Sequence, residues 1–221
     1  MAVFGAPPMN PRVLDPIDRN SEILFGLFMV LSFTGALSVV SAGPKEVHEM
    51  LLAAIGCNIA WGIVDGVMYM LRNIVGRARQ ARLWREVTSA GKPESAHDLI
   101  AQEFGPLAGA LGTPELERTR KWIVAQPDHV APAAAVTFRD LLGGVGVFLL
   151  VFASTFPPVI PFLFFTDLRT AMRVSAAIAI TMMFLCGYEW GRFAGLRPWR
   201  AALVMVMLGA SIKAIIIALG G

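Results

Sequence analysis

Residues 51–71 read LLAAIGCNIAWGIVDGVMYML, and Asp65 is the one charged side chain between Glu49 and Arg72. About 20 residues at 1.5 Å per residue make a helix roughly 30 Å long, the thickness of a bilayer's hydrocarbon core. The stretch therefore predicts a membrane-spanning helix with one carboxylate inside it. Working outward, comparable apolar runs occupy about 22–42, 141–165, 170–191 and 201–219. Gly43-Pro44 closes the first of these as a helix breaker, and Pro157, Pro158 and Pro161 interrupt the third. Across the 221 residues, 56% are apolar and 16% are charged, with a mean hydropathy of +0.62. That balance excludes disorder and argues against a soluble domain. The expected fold is an all-α integral membrane protein of five transmembrane helices. Its parts are a segment 1–21, the first two spans within 22–71, a basic helical insertion 72–137, and spans three to five within 138–221.

The basic residues sort by side. With the N-terminus inside, the inner segments hold Arg12, Arg19, Arg72, Arg77, Arg79, Arg82, Arg85, Lys92, Arg118, Arg120, Lys121, Arg139, Arg192, Arg197 and Arg200; the outer ones hold Lys45, Arg169 and Arg173. Positive loops stay in the cytoplasm, so the reading is N-in and C-out, with the insertion cytoplasmic. Tyr188, Trp190 and Trp199 suit the inner interface. The net charge of +3 and pI near 9.2 then mark orientation and give no reason to expect a nucleic acid partner. The N-terminal stretch has no apolar core and does not read as a cleavable signal peptide. Cys57 and Cys186 fall inside apolar runs, poorly placed for a disulfide framework.

Within the insertion, residues 72–87 read RNIVGRARQARLWREV, a basic helical extension of the second span suited to lipid headgroups. Two short helices are expected over 94–104 and 113–124, the latter with Thr113 as N-cap, Pro114 at the first helical position and Glu115 in the first turn.

Ionisable groups at membrane depth are costly and mark functional sites. Asp65 lies about 10 Å from the cytoplasmic end of its helix. Asn58, Asp65 and Arg72 recur every seven residues, with Met68 three beyond Asp65, so amide, carboxylate and thioether share one face. An ion or proton site is one reading. A polar packing face, or an ion pair from Asp65 to Lys213 of the fifth span, is the other; Lys213 is close enough to the outer end to snorkel. In the fourth span Met182, Cys186 and Glu189 follow i, i+4, i+7, a soft-sulfur and carboxylate stripe that suits a transition metal or plain packing. Glu22 begins a stripe with Met29 at the inner edge, as a metal-path acid or a first-turn acid. His48 with Glu46 and Glu49 forms an outer polar knot, and His97 and His129 stand apart in the inner loop. Gly62 and Gly66 form one GxxxG step; Gly187, Gly191 and Gly195 form two more, for intramolecular packing or a dimer. FPPVIPF breaks a helix at depth, a pointer to a transport path. No GxxxxGK[ST], HExxH, CxxC or GxSxG motif is present, so no enzyme and no bound cofactor are expected.

Three stretches carry a family resemblance: FGLFMVLSFTGALSV at 25–39; GCNIAWGIVDGVMYM at 56–70; and a later region with FLLVF at 148–152, Pro158, Pro161, Phe162, Ser175, Gly187, Gly195, Pro198, Gly209 and Gly220. In these the sequence resembles the vacuolar iron transporter family, five-span carriers of iron(II) and manganese(II). The resemblance implies a homodimer that exchanges metal for protons and draws the ion from the cytoplasm. The family's acid near the start of the first span matches Glu22 with a one-residue offset. Its Ser-Met pair falls opposite Asp65-Gly66, and Met70 stands where its following glutamate would be. Members with a metal-collecting domain carry many glutamates after the second span. Here Glu86, Glu94, Asp98, Glu103, Glu115, Glu117 and Asp128 are diluted by Lys and Arg, so the insertion is not expected to collect iron.

The resulting expectation is a proton-coupled divalent metal carrier, for iron or manganese, in the inner (plasma) membrane. Asp65 coordinates the ion and exchanges protons, Glu22 and Asn58 complete the inner mouth, and Met68 adds a soft contact. Glu189, Cys186 and Met182 are secondary candidates. The alternative is a non-transporting scaffold whose basic insertion binds lipid or a protein partner.

Overall fold

The computed structural model describes residues 13–37, 44–126 and 135–219. Among them every regular element is helical: α1 (Pro16–Leu37), α2 (Pro44–Ser89), α3 (Pro93–Phe104), a 3-10 turn (Gly105–Ala110), α4 (Thr113–Val124), α5 (Phe138–Val159), α6 (Pro161–Phe164), α7 (Leu168–Phe193) and α8 (Pro198–Ala218). Four helices among the described residues are long and apolar enough to cross a membrane: the Leu51–Ser89 part of α2, then α5, α7 and α8. The apolar run that begins in α1 continues beyond Leu37 into residues outside the described set, as do Gly43, Asp128, His129 and Gly220.

The chain divides into two compact units, residues 1–69 with 141–221 and residues 70–140. In the first, α1 packs on α7 and α8, and α7 on α8. Leu24, Leu27 and Leu31, spaced by a helical turn, meet Ala179, Met183 and Cys186. Lipid drives no apolar collapse between helices, so close approach depends on small residues. A Cβ on Gly66 would stand 2.6 Å from the Gly144 carbonyl oxygen, and one on Gly187 would stand 2.9 Å from the Ala202 Cα. Gly62 lies against Phe148, and Gly191 against Pro198. Both glycine pairs are thus spent on packing within the chain. Gly195, at φ +68, turns the backbone between α7 and α8, a conformation that side chains with a Cβ rarely adopt.

The third apolar stretch breaks later than the prolines suggest. α5 continues through Pro157 and Pro158 to Val159, and the interruption comes at Ile160, before the four-residue α6. The two prolines cannot donate to the carbonyls of Ala153 and Ser154, and the helix ends one residue after them.

In the second unit the α2 extension carries Leu83, Trp84 and Val87 against Ala96, Ile100 and Ile123, and Trp84 meets Trp122 edge to face at 5.9 Å. α3 and α4 occupy the two expected helical stretches. The cap differs: Gly112, in extended backbone, precedes α4 and takes the Glu115 N–H on its carbonyl, while Thr113 is already helical. Glu117 accepts from both Arg120 Nε and Nη2 at 2.8 Å and lies 2.9 Å from His97 Nε2. Arg120 first, and His97 second, hold its carboxyl down to about 2. At the far end of the unit Asp140 is 3% exposed. Its carboxylate accepts from Arg77 at 2.7 and 3.0 Å, from Asn73 at 3.2 Å, and from the Thr137 N–H and hydroxyl at 2.8 and 2.7 Å.

Candidate functional site

Phe25 of α1 meets Trp61 of α2 edge to face, ring centroids 6.0 Å apart. Further along, Val30 and Thr34 of α1 line one cavity with Asn58 and Ala54 of α2. Residue numbers fall on α2 as they rise on α1, so the two helices run antiparallel. Glu22 precedes Phe25 by three residues and Asp65 follows Trp61 by four, displacements of about 4.5 and 6 Å in the same direction. The two carboxylates therefore stand at one level of the bundle, about a turn beyond the aromatic pair.

Asp65 Oδ2 and Asn58 Oδ1 are both buried and have no hydrogen-bond partner. Such atoms are rare in folded proteins, because a buried polar group without a partner forfeits its hydration. The remaining buried polar side-chain atom in this condition among the described residues is Ser175 Oγ on α7. Gly62 and Gly66 flank Asp65 along α2 and let α5 approach it closely.

The structure separates other residues that the sequence groups together. Asn58 and Asp65 share a face but are about 10 Å apart along α2, so a single ion cannot touch both. Met68 is 57% exposed and does not join the buried Asn58. The Asp65–Lys213 ion pair is not formed. Lys213 lays its stem against α1 at Gly35, thirteen residues and about 20 Å along that helix from the level of Glu22. The fourth-span stripe also divides: Cys186 is in the apolar core beside Leu24 and Leu27, Met182 packs at the edge of that core, and Glu189 pairs with Arg192 at 3.0 Å. Among the described residues no three His, Cys, Asp or Glu side chains converge as a metal-ligand group. His48 is exposed, and its neighbour Glu49 faces Lys45 at 3.9 Å.

Two hydroxyls that the reading of charges passes over belong to the buried set, Thr34 and Thr155, 3% and 5% exposed. Both line the cavity beside Asn58. A census of every polar side chain within the apolar runs, neutral ones included, would have found them.

No family model matches the chain. It is 23% identical over 137 residues to vacuolar iron transporter 1 of Oryza sativa subsp. japonica, a match covering 57% of this chain and 48% of that protein. The chain thus spans about half the length of the curated relative it matches, and the likeness supports a distant relationship to the vacuolar iron transporters.

Proposed function

We propose that this chain is a proton-coupled carrier of a divalent metal ion, iron(II) or manganese(II), with Asp65 and Glu22 as the carboxylates that receive it. The observation that carries the reading is the unpartnered Asp65 oxygen, buried within an apolar helix at the level of a second carboxylate. In this scheme α1 completes the fifth span, the N-terminus and the 70–140 unit face the cytoplasm, and the chain resides in the inner (plasma) membrane. A homodimer would supply the remaining ligands, since among the described residues no three His, Cys, Asp or Glu side chains converge. The scaffold reading relied on an Asp65–Lys213 pair, and the placement of Lys213 gives it no support.

A divalent ion entering low dielectric needs compensating charge, which two ionised carboxylates provide. Once the ion leaves, uncompensated carboxylates in low dielectric favour protonation of at least one. The neutralised site can then reset, which ties metal movement in one direction to proton movement in the other. No chemical bond in a substrate is made or broken. The likeness to a protein named as an iron transporter supports the cargo class.

The test is flux of iron(II) or manganese(II) into proteoliposomes under an imposed proton gradient. Asp65→Asn keeps the size of the side chain and removes its charge, and is expected to abolish the gradient-driven component. Flux unchanged in that variant, or none in the unaltered protein, refutes the proposal.

A further inference from the structure

Residues 141–148 read LLGGVGVF, and the three glycines each admit a different neighbour. The Gly144 carbonyl lies against Gly66, the residue after Asp65. A Cβ on Gly143 would collide with the Tyr69 ring, and one on Gly146 would stand 3.2 Å from Leu14 Cδ1. Leu14 meets Gly146, and Gly26 meets Val151 and Ser154, so α1 and α5 begin at the same end of the bundle. Tyr69 follows Asp65 by four residues and shares its face of α2, one turn or about 6 Å nearer that end. The Tyr69 hydroxyl donates to the Val13 carbonyl at 3.0 Å, and Leu14 beside it is 8% exposed. The Asp15 carboxylate accepts the Ile17 N–H at 2.8 Å, which ties the other end of the segment to the first turn of α1. Residues 13–15 thus run as a strap from α1 to the seam between α2 and α5, on the side of Asp65 that faces this end.

From this geometry we infer that the strap and Tyr69 form a gate over Asp65, shut when Leu14 occupies its glycine notch and open when Leu14 leaves it. The strap is held by a hydrogen bond at the surface and by one leucine, contacts that break without unwinding a helix. Shut, the gate keeps solvent from Asp65 Oδ2, which is buried and has no partner. Open, it admits water and any cation that water carries. The larger part of α1 and α5 stays in place, because their contacts at Gly26 lie deeper in the bundle than the strap. In the carrier reading this end faces the cytoplasm, and the gate decides when the ion reaches the carboxylates. The gate rests on that reading for its purpose, whereas the closure of Asp65 from solvent does not.

Thiol access tests it. Asp65→Cys, made in a chain with Cys57→Ala and Cys186→Ala, is treated in detergent micelles with a positively charged methanethiosulfonate, and the rate of modification is measured. Tyr69→Phe removes the hydrogen bond, leaves the ring on Gly143, and should raise the rate about threefold, the lower end of what such a bond contributes. Leu14→Ala empties the notch and should raise it by about tenfold or more. Where Leu14→Ala fails to fold, Tyr69→Phe carries the test, since it changes no packing. Ile17→Ala, exposed on the first turn of α1, should leave the rate unchanged. Rates unaltered in both Tyr69→Phe and Leu14→Ala overturn the gate, and so does an equal rise in Ile17→Ala, which would mean general loosening of this end. Faster modification in the gate variants, with no metal flux in the unaltered protein, sinks the carrier reading and leaves the gate standing.

Discussion

Removing Arg77 should destabilise this protein far more than removing Arg79, although each guanidinium lies within 3.0 Å of a carboxylate. The partners differ in burial. Asp140 exposes 4% of its side chain, while Glu103 exposes 47% and Arg79 itself 74%. An exposed pair is worth roughly 0–1 kcal/mol, because water replaces each partner. Arg77→Ala instead strands a carboxylate away from water, for which roughly 3–5 kcal/mol is typical. Asn73 and the Thr137 N–H and hydroxyl still donate to Asp140, which puts the expected loss near the lower end, about 3 kcal/mol. Asp140→Ala should cost less, since Arg77 is 25% exposed and also donates to the Ala135 carbonyl. The double variant should cost less than the sum of the singles, leaving an interaction energy of about 1–3 kcal/mol. Denaturant-titrated unfolding in detergent micelles, followed by tryptophan fluorescence, measures all four corners of the cycle. Equal losses for Arg77→Ala and Arg79→Ala, or additive single losses, would refute the claim that burial makes this pair strong.

Gly66→Ala places a Cβ 2.6 Å from a backbone oxygen of α5, and a backbone cannot rotate away; a loss of about 1–3 kcal/mol is expected. Gly56→Ala meets nothing within 4 Å and should be neutral or stabilising by up to about 1 kcal/mol, so equal unfolding midpoints for the two variants would contradict the close α2–α5 contact. Lys213→Met breaks no ion pair with Asp65, so metal flux and unfolding midpoint should stay at the unaltered values; a marked loss would restore the pairing that the structure lacks. Glu117, lowered from its ordinary 4.5 to about 2 in the folded unit, contributes stability that is fully present above about 4.5 and is lost as pH falls through about 2. Fluorescence of the Trp84–Trp122 contact should follow that loss, and Glu117→Gln should remove it from this pH window while lowering stability at neutral pH.

Four of the five expected spans were legible because composition marks them: a run such as 51–71 with one charge is long and apolar enough to cross a membrane. α3 and α4 were legible too, each having a proline in its first turn and an apolar stripe at helical spacing. The cap at Gly112 was harder, since Thr113 has the better capping side chain and only the backbone dihedrals decide which residue is extended. What no local pattern contains is the pairing of helices. Arg77 and Asp140 are 63 residues apart, and nothing in either neighbourhood marks the other. The sequence groups Glu22 with Asp65 by chemistry and family resemblance alone; the Phe25–Trp61 contact gives the register of α1 against α2 that puts them at one level. The placement of Lys213 beside Gly35 removes it from Asp65, whereas the rise per residue alone parts Asn58 from Asp65, although the two share one face. Periodicity determines the face of a helix a side chain occupies; its level against a neighbouring helix is set by packing, and a transport site needs both. That is why the sequence could identify Asp65 as an expensive residue and group Glu22 with it, but could not give the level of either against the neighbouring helix, nor that Thr34, Asn58 and Thr155 line one cavity about two turns away.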